Sequence, residues 1–208
     1  MIDKFCMFLT NKIRKEMPEI NDEKAEVINY GLQNIIGELP KTFLVLIIAL
    51  FLGIWKETLL TFFLLIPYKN ASGGFHLKTH LGCIIGTTLF YCGIAILSKS
   101  IILTEIIKYI LIGCIWIFGM IMIKLYAPAD TENVPILTKK ERKKNQIISY
   151  ITFTIGLLIA GLIKNQIISN IIIFGYLLQT LTITKLAYRL TNNKYGYEVY
   201  TNTSTENA

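Results

Sequence analysis

IILTEIIKYILIGCIWIFGMIMI, residues Ile101 to Ile123, is the stretch that decides the fold class. Its charged residues, Glu105 and Lys108, fall near its start, and everything after Lys108 is apolar or small. As a helix rising about 1.5 Å per residue, it reaches about 35 Å, enough to cross a hydrocarbon core of roughly 30 Å. Moving outward, Leu81–Leu97, Ile147–Ile163 and Ile167–Leu186 are apolar runs of similar or slightly smaller length. Lys41–Pro67 is more ambiguous. Lys56-Glu57 divides it into Thr42–Trp55 and Thr58–Pro67, and the second piece spans only about 15 Å as a helix. Two short helices completed by flanking residues, or a re-entrant hairpin, both fit. The chain is 53% hydrophobic and 17% charged, with a mean hydropathy of +0.51. Soluble domains carry about 25% charged residues, so the balance points to a membrane protein. The expected fold is all-α: a polytopic membrane helix bundle of four to six membrane helices plus an amphipathic N-terminal helix, in a single integral membrane domain over 1–208.

Residues 1–30 read as that amphipathic, interfacial helix. Ile2, Phe5, Cys6, Phe8, Leu9 and Ile13 follow a 3.6-residue period, with Lys4, Lys12, Arg14 and Lys15 elsewhere on the wheel. Pro18 is expected to interrupt it. No charged n-region followed by an apolar h-region marks a cleavable signal. Between the spans lie a segment at 68–80, a basic loop at 124–146 and a polar tail at 190–208, expected to be disordered at its end. The net charge of +7 does not imply nucleic acid. Lys139, Lys140, Arg142, Lys143 and Lys144 form one cluster between two spans, the pattern of a cytoplasmic loop. The aromatic residues lie inside the spans, so no stacking platform for bases is present. Six spans with both termini inside leave Lys56, Lys99 and Lys164 outside, with Lys108 near a helix end. The basic loop, the 68–80 segment and the tail then face the cytoplasm. The four cysteines, Cys6, Cys83, Cys92 and Cys114, show no disulfide framework. Gly113, Gly119, Gly156, Gly161 and Gly175 read as helix-packing positions.

Both histidines fall in one polar, glycine-bearing island, Asn70-Ala71-Ser72-Gly73-Gly74-Phe75-His76-Leu77-Lys78-Thr79-His80-Leu81-Gly82-Cys83. A histidine can take a proton from a thiol, and a thiolate can attack a carbonyl. On one straight helix His76 and Cys83 would sit about 10 Å apart along the axis. Gly73-Gly74 permit a bend instead. Thr79 can then cap a helix with Cys83 about one turn inside it, and His76 can fold back from the preceding loop. An imidazolium and a helix N-terminus both favour thiolate. Two plainer readings stand beside this one. Cys83 can be a small buried residue and His76 an interfacial polar group. Alternatively, His76, His80 and Cys83, at i, i+4 and i+7, could ligate zinc on one helix face. No acidic residue lies between them, and the glutamate of a His-Glu-x-x-His site is missing.

Gly73-Gly74-Phe75-His76-Leu77-Lys78 followed by Cys83 resembles the accessory gene regulator protein B (AgrB) family. So does the run Tyr126-Ala127-Pro128-Ala129-Asp130-Thr131-Glu132-Asn133-Val134-Pro135-Ile136 in the central loop. The likeness covers nearly the whole chain. It implies a membrane cysteine endopeptidase that processes a small AgrD-type propeptide into a quorum-sensing signal, with 68–80 as its catalytic loop. It implies Cys83 as nucleophile and His76 as base. Lys69, Gly74, Asp130 and Glu132 match motif positions and are expected on the substrate side. For Asp130 and Glu132, capping a Pro-bounded loop is the competing role. His80 has no matching catalytic counterpart, and no third carboxylate orients His76 within the motif. No cofactor and no metal are implied, and a homodimer is compatible with the family. The alternative class is a small non-enzymatic transporter or peptide exporter. That class would require ionisable residues lining a path, for which Lys99, Glu105 and Lys108 are the nearest candidates.

Overall fold

The computed structural model describes residues 2–198 apart from Pro18, Lys78, Leu137 and residues 132–134. Some helical side chains, His80 among them, also fall outside the description. The expected helix break at Pro18, the role of Glu132 and the end of the tail therefore lie outside the described residues. Those described form the helices α1 (Ile2–Glu16), α2 (Asp22–Phe51), α3 (Trp55–Ser72), α4 (His80–Ser100), α5 (Glu105–Tyr126), α6 (Lys139–Leu162), α7 (Gln166–Thr182) and α8 (Lys185–Leu190). Among them three are long and apolar enough to cross a membrane: Leu81–Ser100, Glu105–Tyr126 and Lys139–Leu162. Leu39–Phe51 and Gln166–Thr182 are shorter apolar helices. The all-α membrane bundle read from the apolar runs is the fold found.

The chain divides into two compact units, Met1–Ile48 and Ala49–Ala208. Within the first, Asn21 starts α2 by accepting the Lys24 N–H on its side chain (2.9 Å). Arg14 of α1 pairs with Asp22 of α2, and Thr10 Oγ1 contacts Asn29 Oδ1 at 3.4 Å. Phe5 and Phe8 remain exposed on α1.

The break in the ambiguous block at 41–67 lies in the second unit. The break comes at Gly53, not at Lys56-Glu57. Gly53 adopts φ 69°, its N–H reaches Leu50 O (3.1 Å) and the Ile54 N–H reaches Ala49 O (2.9 Å). That pair of bonds is a Schellman closure, which needs a left-handed residue at its turn. Glu57 then falls in the first turn of α3, where an acidic side chain suits the helix dipole. Flanking residues extend the short apolar piece to a helix of 18 residues, with Pro67 inside it.

α7 is the central element, packing against α3, α4, α5 and α6. Ser169, Ile171, Ile172, Ile173, Tyr176, Gln179 and Thr180 are all buried on it, so burial runs round the whole helix. Tyr68, Phe153 and Tyr176 form an aromatic triangle with ring centroids 5.0, 5.1 and 5.8 Å apart. The helices get this close because Gly119 lies under the Phe153 ring and Gly156 under Tyr176, where any Cβ would collide. Gly113, by contrast, has open space beside it, so the packing role expected of it is not what the structure shows. The ends of α3, α5 and α7 and the starts of α4 and α6 converge at one end of the unit, and the candidate site is built there.

Candidate active site

α3 ends where Gly73 turns out of the helix with φ 72°, its N–H still bonded to Lys69 O at 3.0 Å. Gly74 follows with φ 148°. Both angles lie where a side chain is strained, and space is also lacking. A Cβ on Gly73 would run into the backbone of Ala129, and one on Gly74 would come within 2.8 Å of Thr182 Oγ1. The closeness has a purpose. Gly73 and Ala129 form a parallel β-bridge, with Ala129 N–H donating to Ser72 O (2.8 Å) and Gly74 N–H to Ala129 O (2.9 Å). From α7, the Gln179 side-chain amide donates to Gly73 O (2.7 Å) and Ser72 Oγ (3.1 Å). The island is therefore bolted to the central loop and to the central helix before it reaches His76.

The central loop is held with equal care. Gln146 Nε2 reaches the carbonyls of Ile123, Lys124 and Ala127 at 3.1–3.3 Å, taking up the open end of α5. Asp130, with a side chain only 1% exposed, pairs with Arg142 of α6 at 2.6 Å. Its Oδ2 also accepts the Ile136 N–H (3.0 Å). Arg142 further donates to the carbonyls of Pro128 (3.2 Å) and Ile136 (3.3 Å). The Tyr188 hydroxyl of α8 donates to Ala129 O (2.9 Å) and Asp130 O (3.1 Å). Burial, above all, pushes the Tyr188 phenol up, and nearby Tyr195 and Asp130 add to the shift. It therefore stays a neutral donor.

Past Gly74, residues 75–77 have no regular secondary structure, and His76 is exposed. Thr79 caps α4: its side chain accepts the Gly82 N–H (3.1 Å) and its carbonyl the Cys83 N–H (2.9 Å). Cys83 is half-buried in the first turn of this helix, near the positive end of its dipole. The bend at Gly73-Gly74 and the Thr79 cap expected from the sequence are both found. Lys69 lies elsewhere. Its Nζ donates to the Tyr91 hydroxyl (3.3 Å) and sits 5.2 and 5.9 Å from the Tyr91 and Phe90 ring centroids. Phe90 is seven residues after Cys83 on α4, so Lys69 is about 10 Å further along that face. The ammonium rests on aromatic faces between α3 and α4.

The structure thus brings Gly74, the loop preceding Asp130 and the His76 segment together. Lys69 stands two turns away, and Asp130 is turned inward onto Arg142. Sequence reasoning missed Gln179, Arg142, Tyr188 and Asn193. Arg142 was absorbed into the basic cluster as a topology signal. Gln179 was findable, since an uncharged polar side chain inside an apolar span needs a partner. Asn193 Nδ2 donates to His76 O at 2.8 Å from a tail read as merely polar.

The Accessory gene regulator B family model matches residues 6–183. A putative AgrB-like protein of Clostridium perfringens is 31% identical over 201 residues, covering 88% of this chain and 92% of that protein. One from Listeria monocytogenes is 29% identical over 191 residues, covering 90% and 91%. No solved structure matches. With the family model spanning all the apolar helices of the second unit and both motifs of the site, the chain belongs to the Accessory gene regulator B family.

Proposed function

We propose that this protein is a membrane-embedded cysteine endopeptidase that cleaves the C-terminal tail from an AgrD-like propeptide. Through a thioester on Cys83, it then closes the remaining peptide into a thiolactone or lactone. The observation carrying this reading is the placement of Cys83. It lies in the first turn of a Thr79-capped helix, and the segment bearing His76 is bolted at Gly73 to a second motif of the family. The Cys83 thiolate attacks the scissile carbonyl. The C–N bond breaks as the His76 imidazolium gives its proton to the leaving amine, and the tail departs. An internal thiol or hydroxyl of the peptide passes its proton to His76, attacks the thioester carbonyl and expels the Cys83 thiolate. No water is consumed and no cofactor is needed.

The site faces the cytoplasm in this reading, because it shares an end of the bundle with Lys139, Lys140, Lys143 and Lys144. The exposed Phe5 and Phe8 of α1 suit an interfacial position. Gly74 lets the backbone pass close against Thr182 beside the site, while Lys69 is engaged with Tyr91 two turns away. The candidate charges for a transport path are instead held in ion pairs at the far end: Lys108 with Glu105 (2.7 Å) and Lys99 with Glu57 (3.8 Å).

The test is cleavage of an AgrD-like propeptide by protein reconstituted in liposomes, with mass spectrometry for a peptide adduct on Cys83. Cys83→Ala and His76→Ala are expected to lower turnover at least ~1000-fold, and Cys83→Ala to abolish the adduct. Cleavage persisting in Cys83→Ala would sink the assignment.

A further inference from the structure

The segment following α8 lies beyond the residues matched by the family model, which end at 183, yet it reaches the candidate dyad. α8 closes on a Schellman motif: Asn192 N–H bonds to Arg189 O (3.2 Å) and Asn193 N–H to Tyr188 O (2.9 Å), with Asn192 at φ 53°. Asparagine tolerates this left-handed turn better than most residues. The turn fixes the backbone of Asn193. Its side-chain amide is held by the Thr191 hydroxyl (2.8 Å) and carbonyl (3.3 Å), and from there donates to the His76 carbonyl at 2.8 Å.

The base of this contact is rigid. Tyr195 is 2% exposed, stacks on Tyr188 with centroids 4.0 Å apart and donates its hydroxyl to Ile183 O (2.9 Å). Tyr188 in turn holds Ala129 and Asp130, and Ala129 holds Gly74. A closed circuit results: Gly74 to Ala129, Ala129 to Tyr188, Tyr188 through the Schellman turn to Asn193, and Asn193 back to His76. Gly74 fixes the histidine segment from the side of α3 and Thr79 fixes it from the side of α4. Asn193 fixes the peptide plane of His76 itself, and with it the direction in which the imidazole leaves the backbone.

We propose that Asn193 is a positioning residue for His76, and that the segment 191–195 is a clasp that sets the base over the thiol. This rests on the dyad read under Proposed function. Catalytic groups held about 0.5 Å out of place lose much of their effect, so a single hydrogen bond at this point carries kinetic weight.

The experiment compares full-length wild type, Asn193→Ala, Asn193→Asp and His76→Ala. Asn193→Asp keeps the shape but loses the donor and sets a carboxylate against the His76 carbonyl. Asn193 is only partly buried, so neither change opens the core. Two rates are read per folded molecule: alkylation of Cys83 by iodoacetamide, followed by peptide mass spectrometry, and propeptide turnover split into kcat and KM. Asn193→Ala is expected to slow both alkylation and kcat about five- to tenfold with KM within about twofold, the loss of one hydrogen bond. Asn193→Asp is expected to lose at least as much. If His76→Ala slows alkylation while both Asn193 variants react at the wild-type rate, the clasp is refuted and the dyad stands. A lowered melting midpoint with unchanged per-molecule rates would make Asn193 merely structural, and also refutes it. If His76→Ala itself alkylates at the wild-type rate, the dyad reading has failed and the clasp falls with it.

Discussion

Gly73 and Gly74 concentrate two demands in two residues: a backbone at positive φ, and no side chain where Ala129 and Thr182 approach. The bend was legible in the sequence, because a Gly-Gly pair before a histidine permits one. The reason for it was not, because the partner lies more than fifty residues away in the central loop. Gly73→Ala is expected to break the bridge to Ala129. Strain at a positive φ costs about 1–2 kcal/mol, and the displaced backbone adds to that. Propeptide cleavage per folded molecule should fall at least ~30-fold, as measured in the liposome assay. Gly113→Ala, with open space beside it, is the matched control and should cleave at the wild-type rate. A Gly73→Ala protein as active as that control would mean the bridge is dispensable.

Among the elements, the central loop differs most from its expected character. Pro128, Pro135 and the basic residues after them read as a solvated connection, and Asp130 as a candidate for substrate contact or for capping. The buried Asp130–Arg142 pair ties the loop to α6, while Tyr188 ties it to α8. Asp130→Ala leaves a largely buried guanidinium without its counter-charge, which costs about 3 kcal/mol. The melting midpoint in detergent should fall by several degrees, and Asp130→Asn, which keeps an acceptor for the Ile136 N–H, should lose less. Equal losses would show that the neutral acceptor contributes nothing and that the charge carries the whole effect. The C-terminal segment also holds more structure than its composition shows. Its composition is polar, but Tyr188 and Tyr195 are buried and carry hydroxyl donors. Aromatic residues recurring at 188, 195 and 197 in an otherwise polar stretch were the available signal.

For the molecule as a whole, hydropathy alone located the helices, since apolar runs of sufficient length have few alternatives in a bilayer. It could not place the break at Gly53, because that depends on a left-handed closure and not on charge. The two ends of the second unit differ in kind. One carries the glycine hinge, the capped start of α4 and the lysines of α6; the other carries the ion pairs Glu57–Lys99 and Glu105–Lys108. With Cys6, Cys83, Cys92 and Cys114 replaced by serine, Lys164→Cys should react with an impermeant maleimide on intact cells. Lys143→Cys should react only after permeabilisation. The reverse pattern would overturn the cytoplasmic assignment.

The bond from Asn193 to His76 spans 117 positions of the chain, and this has a consequence for the order in which the protein is made. His76 and Cys83 leave the ribosome and enter the bilayer long before Tyr188, Asn193 and Tyr195 have been translated. Until those last residues arrive, the histidine segment lacks its final restraint and the central loop lacks the tyrosine that holds Ala129 and Asp130. Under the proposed clasp, Cys83 therefore gains its full reactivity only after residues 188–195 have been translated and folded against the histidine segment.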